Sequence, residues 1–232
     1  LTWLAICGYS FLSFFAPSEA FLYDYFVEAK GFSPATLTNR VYPLWTYALF
    51  VFLPLVMTCV SLLGPKWVIV MGGVARVAAG AVVTCVHPGM VRMMQAMQIL
   101  FGFFFAVKTV VLPMYVFQLL PSEAFQKGVA AVRSSVLVAC GVSAVVGQAL
   151  TELGVPVASL AWVTLAAHGA ALLCALALPA APSMARLNCS EALALLGASR
   201  STLWTLLWLL GVSATQELVL TYYQAAFRAA LP

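Results

Sequence analysis

The sequence predicts an all-α protein that threads a membrane several times. Three observations predict it. Residues of the AVILMFWYC set make up 64% of the chain and charged residues only 8%, against roughly a quarter charged in soluble domains. Apolar stretches of span length recur along the whole sequence, since about 20 residues at 1.5 Å each cross a hydrocarbon core of roughly 30 Å. None of these stretches alternates polar and apolar residues in the short segments of a membrane barrel, so the backbone polar groups must pair within helices.

Seven stretches qualify: 1–26, 41–63, 67–87, 95–120, 125–152, 157–179 and 202–228. The connections are short and carry turn chemistry, at Gly31-Phe32-Ser33-Pro34, Gly64-Pro65-Lys66, His87-Pro88-Gly89, Pro121-Ser122-Glu123 and Gly154-Val155-Pro156. Segment 180–201 is longer and more polar, with Arg186, Asn188, Glu191 and Arg200, and reads as a linker carrying at most a short surface helix. With a cytoplasmic start, the inner loops hold Lys66, Lys127, Arg186 and Arg200, and the outer loops Lys30, Arg40 and Arg92. That is a slight positive-inside bias. It puts the sequon Asn188-Cys189-Ser190 in the cytoplasm, where it stays unmodified. The chain opens on Leu1 inside an apolar run with no basic n-region, so the sequence is expected to be part of a longer reading frame, without a signal peptide.

The first span contains Ala16-Pro17-Ser18-Glu19-Ala20-Phe21. Proline removes a helical hydrogen bond and clashes with the preceding turn, and a carboxylate two residues later points to a wet cavity. The second span opens on Tyr42-Pro43-Leu44-Trp45-Thr46-Tyr47. Its aromatics fit an interfacial belt better than a stacking platform for a planar ligand. Charges within spans cost a few kcal/mol each and normally face a cavity or a partner. Five lie deep: Glu19, Arg76, Lys108, Arg133 and Glu217. Asp24 lies near the end of its span. Structural pairing, for instance of Glu19 with Arg133, is the competing account of these charges. His168, Gln148 and Gln224 are expected to hydrogen-bond across helices.

Other classes find little support. The eleven Lys and Arg are scattered singly and the net charge is +4, which leaves no basic patch for nucleic acid. The six cysteines form no CxxC pair and read as small buried hydrophobes. No metalloprotease, nucleophile-elbow or phosphate-loop motif occurs and there are two histidines in all, so neither an enzyme nor a cofactor is expected.

Several segments resemble the reduced folate carrier family, the vitamin carriers that include thiamine transporters. Pro17-Ser18-Glu19-Ala20-Phe21-Leu22 resembles the first-span motif R-P-S/G-E-x-F, and Tyr42-Pro43-Leu44-Trp45-Thr46-Tyr47 resembles Y-P-V-W-T-Y. Phe125-Gln126-Lys127, Arg133-Ser134-Ser135 and Val146-Gly147-Gln148 resemble the fifth-span pattern, and Leu203-Trp204, Trp208 and Tyr222-Tyr223-Gln224 the aromatic seventh span. The matches are short but collinear.

The resemblance implies a major-facilitator architecture: a six-helix bundle at 1–179, a cytoplasmic linker at 180–201, and at 202–232 the first helix of a second bundle. The chain would then be a fragment of a twelve-helix transporter. It implies alternating-access transport of thiamine or a reduced folate across the plasma membrane, with the lipid bilayer and a coupled proton or counter-anion as partners. Glu19 and Trp45 are implicated directly in substrate binding, Arg133 as a motif residue, and Thr221 and Tyr222 in the seventh span. The family's fourth-span charge falls on Thr109, with Lys108 beside it, and one residue rotates a side chain by about 100°. The family's first-span Arg is Ala16 here, and the acid at the end of the second span is Ser61.

The substrate signals point both ways. Ser18 matches the thiamine-carrier spelling. Lys108, Arg76 and Arg133, with no fourth-span acid, suit an anion, whereas a cationic aromatic needs anions or π faces. A seven-span receptor is the alternative reading, because seven spans are what the chain contains.

Overall fold

The computed structural model describes residues 2–181, together with Ser201, Trp204, Trp208, Gly211, Val212, Thr215 and Val219. Contacts divide the chain into two compact units, Leu1–Ser183 and Met184–Pro232. Six helical segments among the described residues are long and apolar enough to cross a membrane: α1 Trp3–Ala29, α2 Pro34–Leu63, α3 Pro65–Cys85, α4 Val91–Leu119, α5 Glu123–Glu152 and α6 Val157–Ala177. The protein is thus an all-α, multi-pass membrane protein. In the seventh predicted span the described residues are helical and exposed. Glu217, Thr221, Tyr222 and Gln224 lie outside the described residues.

The predicted spans 1–26, 67–87, 95–120, 125–152 and 157–179 match within a few residues. The second starts seven residues early, at Pro34 rather than 41. The cause is local. The Ser33 hydroxyl accepts the Thr36 N–H at 3.1 Å and Pro34 occupies the first helical position, where its missing donor costs nothing. The predicted turn glycines Gly31, Gly64, Gly89 and Gly154 all have positive φ, between 66° and 83°, a region other residues rarely enter.

Among the described residues one wide turn closes α1, at Tyr25–Ala29, and two more lie at Leu37–Val41 in α2 and Val107–Val111 in α4. Each of the latter two ends two residues before a proline, Pro43 or Pro113. A proline ring presses on the carbonyl four residues back, and widening the preceding turn relieves that clash. Pro54, farther along α2, is accommodated without one.

Packing runs in the order α5–α1–α6–α3–α4–α2, with α2 also touching α3. Small residues set the approach distances, as expected where lipid supplies no hydrophobic drive between helices. A Cβ on Gly102 of α4 would lie 2.6 Å from Ala48 Cβ and 2.8 Å from the Leu49 nitrogen of α2, and one on Gly72 of α3 would lie 3.0 Å from Val107 of α4. Above these crossings the buried core gathers Ile6, Tyr9, Val56, Ile69, Val111 and Tyr115. The Tyr115 hydroxyl donates to the Pro179 carbonyl at 2.6 Å and fixes the end of α6 against α4.

Candidate functional site

The site begins with the break in α1. Regular helix ends at Phe14 and resumes as a short tight turn at Glu19–Phe21. The backbone donors freed in hydrocarbon must find partners, and neighbouring helices supply them. Ala16 N–H donates to Ser143 Oγ of α5 at 2.9 Å, and Ser18 N–H to Thr164 Oγ1 of α6 at 3.3 Å. The Ser18 and Thr164 hydroxyls are 3.0 Å apart. The break inferred from Pro17 and Glu19 is thus a broken helix whose freed donors are taken up by two hydroxyls.

The break presents Glu19 toward α3. An oxygen of its carboxylate lies 3.8 Å from Arg76 Nη2, with the Glu19 side chain 56% exposed and Arg76 only 3% exposed. Phe101 and Phe104 of α4 cover the guanidinium, their ring centroids 4.3 and 5.3 Å from its central carbon. Lys108 Nζ sits 3.5 Å from the Phe14 centroid and 5.5 Å from that of Phe105. Such contacts are worth about 2 kcal/mol when desolvated, which offsets part of the cost of a cation at this depth. The rings form one wall: Phe105 touches Phe14 and Phe104, and Trp45 meets it edge-on at 5.2 Å. Cys140 of α5 lies within electrostatic reach of Glu19, Lys108 and Arg76, so with Trp45 of α2 five helices contribute to one charged, aromatic-lined region.

A cleft opens at this point, with about 330 Å³ of empty space that includes open solvent, between Ala16, Glu19, Arg76, Phe101, Thr164 and His168. If the space is watery, a charged, water-soluble thiol reagent should label Cys140 in the full-length protein in membranes, and Cys140→Ser should remove that label. A thiol in lipid stays un-ionised and inert, so an unlabelled Cys140 would turn this face of α5 to the lipids.

The structure brings together some of the residues singled out from sequence and separates others. Glu19 lines the cleft with Arg76, and Trp45 and Lys108 meet beside it on the Phe105 ring, outside the cleft lining. Thr109 is exposed while Lys108 faces α1, as the rotation of about 100° between successive helical residues allows. Arg133 is exposed and Glu19 pairs with Arg76 instead. Ser143 marks the level of the break on α5, and Arg133 lies ten residues from it, about 15 Å along the axis.

Trp45, whose residue type suits an interfacial belt, meets an aromatic partner instead of standing alone at the start of its helix. It sits eleven residues inside α2, about 16 Å from its start, and packs on Phe105. The expected bond across helices fails for His168, whose two ring nitrogens are buried without a hydrogen-bond partner. It fails for Gln148 as well, which donates along its own helix to Glu152 at 3.0 Å.

Sequence reasoning missed Phe14, Phe101, Phe104 and Phe105 as a wall, and Ser143 and Thr164 as acceptors for the break. It ranked Arg76 as a deep charge but not as a site residue. The aromatic run Phe101–Phe105 on the span that carries Lys108 was the available signal.

The family model described as Reduced folate carrier matches residues 1–186. A folate-like transporter of Dictyostelium discoideum is 32% identical over 173 residues, which cover 75% of this chain and 30% of that protein. Thiamine transporter 2 of Mus musculus is 32% identical over 176 residues, covering 75% and 36%. Thiamine transporter 1 of Homo sapiens is 28% identical over 152 residues, covering 64% and 29%. The chain thus spans about a third of the length of the first two of these relatives. A family match over most of the chain means that the chain belongs to the reduced folate carrier family.

Proposed function

We propose that this chain is the N-terminal bundle of a secondary transporter that carries a water-soluble vitamin, thiamine or a reduced folate, across the plasma membrane by alternating access. In this reading 1–179 is the first bundle, 180–201 a cytoplasmic linker, and 202–232 the first helix of a second bundle. The observation that carries it is the Glu19–Arg76 pair at the α1 break, facing an aromatic wall with Lys108 inside apolar spans. Charges are retained in hydrocarbon when they line a polar path, and a broken helix supplies irregular backbone only where it borders a cavity.

The parts divide the labour. The rings of Trp45, Phe105 and Phe14 offer faces for a flat heterocycle. Glu19 and the cations fix its polar groups. Thr109 and Arg133 stand exposed on α4 and α5, apart from the break, and are assigned to the path by their place in the family motifs, as are Thr221 and Tyr222. A coupled proton or counter-anion would act on the Glu19–Arg76 pair, whose separation of 3.8 Å is loose enough to open.

Uptake of labelled thiamine and labelled reduced folate by cells expressing the full-length protein, with cross-competition, tests the proposal. One of the two should accumulate above vector-only cells and be displaced by its unlabelled form. Accumulation of neither would sink the vitamin reading.

A further inference from the structure

Behind Glu19, where α1, α3 and α6 meet, the cleft holds more hydrogen-bond donors than partners. Arg76 is 3% exposed and His168 is 2% exposed. Arg76 Nε and Nη1, and both ring nitrogens of His168, are buried with no hydrogen-bond partner. Buried polar groups are paired in the great majority of cases, and each left over costs about 1–3 kcal/mol. Here the four fall on two side chains that line one cleft. The protein's own acid does not saturate them. Glu19 approaches Nη2 at 3.8 Å, beyond hydrogen-bond reach, and keeps most of its side chain exposed.

We infer that this Arg76–His168 pocket binds a small oxyanion, a carboxylate or a phosphate. The inference rests on the vitamin-transporter reading only for where the anion comes from. A guanidinium offers N–H donors in a fixed plane and matches oxyanions better than any other side chain. With Phe101 and Phe104 across its face, its free edge is what remains for a ligand. His168 adds one N–H donor from the α6 side.

Gly80, one turn along α3 from Arg76, keeps the pocket open. A Cβ there would lie 3.4 Å from His168 Nδ1 and 3.1 Å from Leu165 Cδ1. An oxyanion entering the pocket repels Glu19 and takes its place on Arg76. Anion binding is therefore coupled to release of the Glu19 side chain from Arg76. The anion arrives either as a group on the cargo or as free inorganic phosphate.

The test uses purified full-length protein. Sodium phosphate and sodium acetate are compared with sodium chloride at matched ionic strength while thermal unfolding is followed. A saturable rise in unfolding temperature with an oxyanion and not with chloride is expected. Arg76→Lys, which keeps the charge and loses the planar fork, should weaken it by roughly tenfold or more. His168→Leu should weaken it too, and the exposed control Lys127→Gln should not. No oxyanion-specific rise in the wild type, or a rise that Arg76→Lys and His168→Leu both keep, would overturn the pocket and leave it to water.

Transport identifies the source. Phosphate that competes with uptake of labelled folate or thiamine monophosphate, but not of thiamine, marks the cargo's own group. Phosphate that accelerates uptake when loaded on the opposite side marks a free counter-anion. An oxyanion shift with no uptake of any vitamin retires the transport reading and keeps the pocket. Uptake that is indifferent to Arg76→Lys, with no shift, does the reverse.

Discussion

Glu19→Gln in the full-length protein is expected to abolish vitamin uptake, by at least about a hundredfold, while the amount of folded protein in the membrane stays unchanged. Glutamine keeps the shape and an acceptor oxygen, so the tight turn at Glu19–Phe21 has no steric reason to change. The hydrogen bonds that hold the break use the Ala16 and Ser18 backbone and the hydroxyls of Ser143 and Thr164, not the Glu19 side chain. What is lost is the charge opposite Arg76. A guanidinium 3% exposed would then stand without its counter-charge, and one partner removed from a buried pair leaves a strongly penalised ion.

Because the Glu19 side chain is more than half exposed, solvent screens much of that penalty, so the damage is expected in function rather than in folding. The measurement is uptake of labelled thiamine and reduced folate, normalised to surface protein, beside a detergent size-exclusion profile. Uptake at the wild-type rate would remove Glu19 from the site. A collapsed size-exclusion profile would make the pair structural.

The spans were legible because hydrocarbon imposes a rule that composition obeys: a run of about 20 apolar residues must be helical. The break at Pro17 was legible for the same kind of reason, since a missing N–H and a carboxylate two residues later both need polar company. The partners of the break were not. Ser143 and Thr164 lie 127 and 146 residues from the positions they serve, and no local pattern marks one hydroxyl among many.

The partner of Glu19 was not legible for a related reason. Which cation meets it depends on the level at which α3 and α5 cross α1, and the sequence gives spacing within a helix but not the offset between helices. The uncertainty over Lys108 and Thr109 had a readable origin. Successive helical residues point about 100° apart, and Pro113 presses back toward Thr109, where the wide turn at Val107–Val111 accommodates it. His168 departed from expectation by having no partner at all, the kind of local inconsistency that gathers at functional sites.

Gly147→Ala is expected to cost about 1–3 kcal/mol of stability, whereas Gly141→Ala, six residues earlier on the same helix, should be neutral or slightly stabilising. The two glycines differ only in what lies opposite. A Cβ on Gly147 would run into the carbonyl of Pro17 and come within 3.1 Å of the Phe21 ring, while one on Gly141 meets nothing within 4 Å. The clash is with backbone, so no side-chain rotation relieves it. Either α5 moves away from α1 or the break at Phe15–Ser18 deforms.

Movement of α5 would also stretch the 2.9 Å bond from Ala16 N–H to Ser143 Oγ, one turn away on the same face, and would free a donor in hydrocarbon. Gly141→Ala faces no such obstacle and gains the ordinary helix preference of alanine, about 0.5–1 kcal/mol. Thermal unfolding of the two full-length variants in detergent separates these outcomes: a lowered midpoint for Gly147→Ala and an equal or raised one for Gly141→Ala. Equal midpoints would mean that α1 and α5 do not touch at the break. The glycine of Val146-Gly147-Gln148 would then have no packing reason, and the two-hydroxyl clamp that orients Glu19 would lose its support from α5.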